Sequence, residues 1–180
     1  MKIKETKLKG CFVIEPQVFY DDRGYFYESF HQKKFEQVIG EAINFVQDNQ
    51  SFSRKGVLRG IHFQKGEYAQ AKLVRVLQGK VLDVVVDLRK DSETFGQYET
   101  IELSADNKKQ LFVPRGFGHG FITLSETSEF AYKCDAPYHK ESEGGIVFND
   151  KTLKINWKFP KSEIIVSEKD KELPPLEEPF

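Results

Sequence analysis

The sequence predicts an all-β protein: one jelly-roll barrel with one or two short helices. Turn signals recur about every ten residues and separate short runs rich in Val, Ile, Leu, Phe and Tyr, the spacing expected of a sandwich or barrel. Aromatics are in excess, with 16 Phe and 7 Tyr against one Met and one Trp, which favours strands over helices. Helical periodicity is convincing in only one place.

Strands are expected at Gly24–Phe30, Ile43–Asp48, Val57–Phe63, Gln70–Leu77, Lys80–Leu88, Tyr98–Leu103, Gln110–Val113, Gly118–Leu124 and Glu129–Cys134. Gln78-Gly79 reads as a tight turn, so the strands on either side are expected to form a hairpin. The helix follows Ser29-Phe30-His31-Gln32, which has the form of a capping box. Phe35, Val38 and Ile39 then share one helical face, and Gly40 supplies the stop. With 180 residues and no internal linker, the chain is expected to form a single domain over 1–180, its core at about 9–170. The last stretch, 171–180 (KELPPLEEPF), reads as an extended surface tail because its prolines remove ladder donors.

Charge is balanced, 27 basic against 28 acidic residues, which argues against a nucleic-acid partner. No apolar run approaches a membrane span, and the charged first ten residues contain no signal-peptide core. Cys11 and Cys134 match no metal spacing and read as free thiols in a reducing compartment, so a cytoplasmic protein is expected.

Of the four histidines, His31 and His139 sit in polar surroundings and read as solvated side chains. His62 and His119 are each bracketed by glycine at a strand end, in RGIHFQ and PRGFGHGF, where glycine permits close approach of a ligand or a second backbone. Each reads either as a site residue or as a hydrogen-bonded core histidine. Pro114 to His119 resembles the P-x-G-x-x-H element of the cupins, in which the histidine often binds a metal. Metal-binding cupins also carry an H-x-H pair followed by Glu; here that place reads His62-Phe63-Gln64, then Glu67. Glutamine is a poor ligand for a transition metal. The expectation is a barrel with no metal.

Longer motifs narrow the reading. D-D-R-G-Y-F-Y-E (21–28), F-V-Q-D-N-Q-S-F-S (45–53), V-L-R-G-I-H-F-Q (57–64), A-K-L-V-R-V (71–76), V-D-L-R-K-D-S-E-T-F-G (86–96), Q-L-F-V-P-R-G-F-G-H-G-F (110–121), A-Y-K-C (131–134) and S-E-K-D (167–170) occur in this order. The chain resembles the dTDP-4-dehydrorhamnose 3,5-epimerases from about Lys9 to Asp170. It departs from the family pattern at Phe148, where a Trp is usual, and at Trp157-Lys158, where Trp-Pro is usual.

The resemblance implies cofactor-independent inversion at the carbons flanking a ketone, in a dTDP-linked 4-keto-6-deoxy sugar. It implies His62 as base, oriented by Asp170, and Tyr132 as acid on the opposite ring face. Lys72, helped by His119, would stabilise the enolate oxygen. An imidazole titrating near ~6.5 suits proton abstraction at neutral pH. Arg23, Arg59 and Lys169 would hold the diphosphate, and Glu28, Gln47, Asp48 and Asn49 the thymine and deoxyribose end. Tyr138 would stack on the base, and Glu143 completes the set. Strict pleating puts Arg59 and His62 on opposite strand faces, so a twist or bulge at Gly60 is required for both to line one pocket. The resemblance also implies a homodimer in which an N-terminal strand pairs with the partner's sheet and the first motif reaches across. Alternatives are a relative acting at C3 or C5 alone, a metal-dependent cupin enzyme, and a non-catalytic sugar-nucleotide binder.

Overall fold

A computed structural model describes residues 1–176. Two antiparallel sheets face each other. The six-stranded sheet runs β1 (Lys2–Glu5), β2 (Phe12–Glu15), β10 (Gln110–Val113), β7 (Lys72–Gln78), β12 (Thr127–Cys134), β5 (Gln47–Arg54). The five-stranded sheet runs β13 (Glu143–Gly145), β6 (Leu58–Gln64), β11 (Phe117–Thr123), β8 (Lys80–Asp87), β9 (Tyr98–Ser104). A separate hairpin joins β3 (Phe19–Asp21) to β4 (Gly24–Phe26). The architecture is a cupin-like jelly roll, with α1 (Gln32–Ile39) and α2 (Glu168–Lys171) added.

Strand alternation builds the core. Val74, Val76 and Phe130 from one sheet meet Val81, Val85, Phe117 and Phe121 from the other. The five-stranded sheet is covered on its outer face too, because Leu82, Val84 and Val86 pack under Ile146, Leu153 and Trp157 of the C-terminal segment. That double burial explains why β8 reads as a nearly continuous apolar run instead of an alternating one. Outside the six-stranded sheet, Phe35 of α1 packs on Leu73 and Phe112 together with Phe30 and Phe45.

Several sequence expectations need correction. The turn at Gly79 exists, with φ at +76°, but it joins no hairpin. Both edges of β7 are occupied by β10 and β12, and both edges of β8 by β11 and β9, so the turn carries the chain from one sheet to the other. Ser29 is not the helix cap: its carbonyl accepts from Gln110 Nε2, and the helix begins after His31, whose Nδ1 accepts from the Lys34 N–H. Gly40 ends the helix as expected, at φ +83°. The strand expected at Gly24–Phe30 stops at Phe26, and the one expected from Ile43 begins at Gln47, because Ile43 and Phe45 are drawn into the cluster under α1. β1, β2, β3 and β13 were not legible, being short, charged or glycine-rich. The tail runs over the surface as far as it is described, held by two hydrogen bonds. Val147 N donates to Pro174 O, and Leu176 N to Asp150 Oδ2, while 177–180 lie outside the described residues. His139 is solvated only in part; its ring stacks on Tyr68 at 3.8 Å.

Candidate active site

β6 sets the site. On it His62 stands opposite His119 of β11, and Arg59 stands opposite Phe121, so three steps on β6 match two on β11. This bulge resolves the parity problem, and Arg59 and His62 both border one cavity of about 540 Å³. Gly60 makes it possible. Its φ is +125°, its peptide bond to Ile61 is cis, and a Cβ there would meet Gly120 Cα at 2.6 Å and His119 O at 2.9 Å.

Lys72 from β7, Tyr132 from β12, His119 from β11 and Asp170 from α2 complete the cavity wall. His62 Nε2 lies 2.8 Å from Asp170 Oδ1. The second carboxylate oxygen accepts from the Gly60 N–H at 3.2 Å, and the Asp170 N–H donates to Ser167 Oγ, the cap of α2, at 3.1 Å. Asp170 is only 5% exposed. Burial alone would raise its pKa, but the His62 hydrogen bond and charge, the Gly60 N–H and Ser167 prevail, and the carboxyl lies below its usual range. Ionised, it only accepts, so the His62 proton sits on Nε2 and Nδ1 keeps its lone pair.

Around His119, Lys72 and Tyr132 the environment is drier. His119 Nε2 lies 3.1 and 3.0 Å from the two oxygens of Asp83, and both side chains are buried. Burial drives the Asp83 pKa up, opposed by His119 and Lys72. Burial lowers the Lys72 pKa, opposed by Cys134, Asp83 and Glu143, and its Nζ lies 5.8 Å from the Tyr132 ring centre. Burial, with Cys134 adding to it and Arg59 opposing, raises the Tyr132 pKa, which keeps the phenol protonated. Asp83 was missed in the sequence. Its signal was a lone carboxylate in VLDVVV at the parity of the inward-facing Val81 and Val85.

At the cavity mouth Arg59 Nε donates to Ser53 Oγ at 3.1 Å, and Lys169 pairs with Glu143 at 2.7 Å. Glu143 also accepts from Tyr138 OH at 2.9 Å. Gln47 donates to Asn49 and accepts from the Tyr138 N–H. Gln47, Asn49, Tyr138 and Glu143 do not themselves border the cavity, and neither do Asp48, Arg23 and Glu28. Asp48 is on the outer face of β5, paired with Lys133. Arg23 pairs with Asp21 on the exposed β3–β4 hairpin, and Glu28 with Lys34. Gln64, at the place of the second histidine of metal cupins, donates to Tyr68 O and Pro137 O and accepts from the His139 N–H.

Comparison with known proteins identifies a family. A family model for dTDP-4-dehydrorhamnose 3,5-epimerase matches residues 5–178. The chain is 51% identical to the dTDP-4-dehydrorhamnose 3,5-epimerase of Escherichia coli over 178 residues, covering 99% of this chain and 96% of that one. A crystal structure of the enzyme from Elizabethkingia anophelis superposes with a TM-score of 0.94 at 59% identity, covering 97% and 96% of the two chains. The dTDP-6-deoxy-D-glucose-3,5-epimerase of Legionella pneumophila, solved in complex with dTDP-4-keto-L-rhamnose, gives 0.93 at 46% identity, covering 97% and 92%. With the match running almost end to end and the jelly roll shared, this chain belongs to the dTDP-4-dehydrorhamnose 3,5-epimerase family.

Proposed function

We infer that the protein inverts C3 and C5 of dTDP-4-dehydro-6-deoxy-D-glucose, giving dTDP-4-dehydro-L-rhamnose, and so is an isomerase. One observation carries this reading: His62 on β6, held by Asp170 of α2, and Tyr132 on β12 stand on opposite sheets facing one cavity. A sugar ring between them meets a base on one face and an acid on the other.

The C4 ketone acidifies the protons at C3 and C5. His62 Nδ1 takes one, and Asp170 stabilises the imidazolium that forms. The electron pair moves onto the ketone oxygen, which Lys72, helped by His119, stabilises in a dry environment. Tyr132 delivers a proton to the opposite face, inverting the centre. No electron leaves the substrate, so the chemistry needs no redox cofactor.

Arg59 and Lys169 are placed for the diphosphate, where a guanidinium fork matches phosphate oxygens. Gln47, Asn49, Tyr138 and Glu143, joined to one another and to Lys169 by hydrogen bonds, would hold the nucleoside end. Arg23 and Glu28 are too far out to serve their own cavity. The hairpin between β3 and β4 also leaves Phe19, Tyr20, Tyr25 and Phe26 56–72% exposed, a surface expected to be covered. Both facts favour a homodimer in which this segment reaches the partner's cavity. No helix among the described residues is long and apolar enough to cross a membrane. The two buried free thiols suit the cytoplasm.

The test is incubation with dTDP-4-dehydro-6-deoxy-D-glucose in heavy water. Deuterium at both C3 and C5 of an inverted product is expected, unchanged after chelation. Label at one carbon alone would make the protein a mono-epimerase.

A further inference from the structure

We propose that Gln64 is a positioning residue for nucleotide binding, acting through the strap 136–139 that carries Tyr138. This rests on the reading of Tyr138 as the residue that stacks on the base.

The strap lies between β12 and β13 and pairs with no strand, so its backbone polar groups need other partners. Glutamine side chains provide them. Gln70 Nε2 donates to Ala136 O at 2.8 Å, Gln64 Nε2 to Pro137 O at 3.3 Å, and Gln64 Oε1 accepts from the His139 N–H at 2.7 Å. Between these, the Tyr138 N–H donates to Gln47 Oε1 at 2.9 Å. Gln64 therefore brackets Tyr138, holding the carbonyl before it and the amide after it.

The same amide reaches further. Gln64 Nε2 donates to Tyr68 O at 2.7 Å, tying the turn at Gly66–Tyr68 to the strap, and the Tyr68 and His139 rings stack with only 6° between their planes. Gln64 stands opposite Glu143 in the β6–β13 ladder, and Glu143 accepts from the Tyr138 hydroxyl. Tyr138 is thus fixed at its backbone and at its hydroxyl, while 54% of it stays exposed. An exposed ring held at both ends has little freedom left to lose when a flat ligand stacks on it. Only a primary amide fits the position of Gln64, which is 7% exposed. It must donate twice and accept once from one planar group. A carboxylate would face two carbonyl oxygens, and an apolar residue would strand all three backbone groups.

Calorimetry with thymidine diphosphate on full-length wild type, Tyr138→Ala, Gln64→Leu and the double variant tests this. Tyr138→Ala is expected to weaken binding about tenfold, the scale of one base–aromatic stack. Gln64→Leu is expected to weaken it comparably and to raise KM, while kcat stays within about twofold, as for loss of uniform binding. The double variant should bind no more weakly than Tyr138→Ala. Wild-type affinity in Gln64→Leu, or additive losses in the double variant, overturns the proposal. Wild-type affinity in Tyr138→Ala removes the stacking reading itself, and the proposal with it. Should Gln64→Leu not fold, the isosteric Gln64→Glu decides: weakened binding supports the proposal, and unchanged binding overturns it.

Discussion

Replacing Asp170 by Asn alters the His62 pair with almost no change of shape. Asn Oδ1 still accepts from the Gly60 N–H, so the amide nitrogen faces His62 Nε2, now as a donor. That forces the imidazole proton onto Nδ1, the nitrogen needed as the base. It also removes the carboxylate that stabilises the imidazolium. The wild-type contact is 2.8 Å. With charge centres ~4 Å apart and an effective dielectric of ~20, the attraction is about 4 kcal/mol, or a rate loss of about 10³-fold. The assay is deuterium exchange at C3 and C5 in heavy water, alongside thymidine diphosphate binding by calorimetry. Binding should be unchanged and both exchange rates should fall together. In a His62→Asn background the Asp170 change should cost nothing further, because the two act as a unit. Exchange within tenfold of wild type at either carbon would refute the argument.

Tyr132→Phe should still form the enolate but return its proton from the face that lost it. Deuterium should therefore enter recovered substrate of unchanged configuration while inverted product falls; parallel loss of exchange and inversion would assign Tyr132 to packing alone. Arg59→Lys keeps a charge but loses the fork held by Ser53, so thymidine diphosphate affinity should drop about tenfold by calorimetry. Burial opposes ionisation of Asp87, but hydrogen bonds from Arg89, Ser92 and Thr94 lower its pKa from 3.8 to about 2, worth about 2 kcal/mol. Because the folded value is depressed, this stability is present above about pH 4 and lost as pH falls towards 2. Urea titrations of Asp87→Asn should show the deficit at pH 7 and near equality at pH 2. Gly60→Ala would set a Cβ 2.6 Å from Gly120 Cα at a φ of +125°. A loss of about 3 kcal/mol in urea unfolding, with loss of exchange, is expected.

Much of this was legible in local chemistry. Alternation and turn residues located nine strands to within a few residues, apart from the shifted ends of β4 and β5, because a half-buried strand writes its two faces directly into its sequence. Gly40 marked the helix end because only a left-handed residue closes it there. The glycines around His62 and His119 signalled close backbone approach, and that is where β6 and β11 come together. The ordered motifs by themselves point to the family.

What the tertiary structure decided is everything that depends on which segments pair. Gly79 reads as a hairpin turn in any local window; only the competition of β10, β12, β11 and β9 for the edges of its neighbours sends them to different sheets. Arg59 and His62 have the wrong parity for a shared face until pairing with β11 inserts the bulge. Asp83 looks like an interruption in an apolar strand until the barrel closes and His119 arrives beside it. The motif resemblance implies a site role for Arg23 and Glu28, yet their own fold leaves them outside the cavity. Residue types and periodicity record local preference, whereas register, sheet membership and burial arise from contacts between residues distant in the chain.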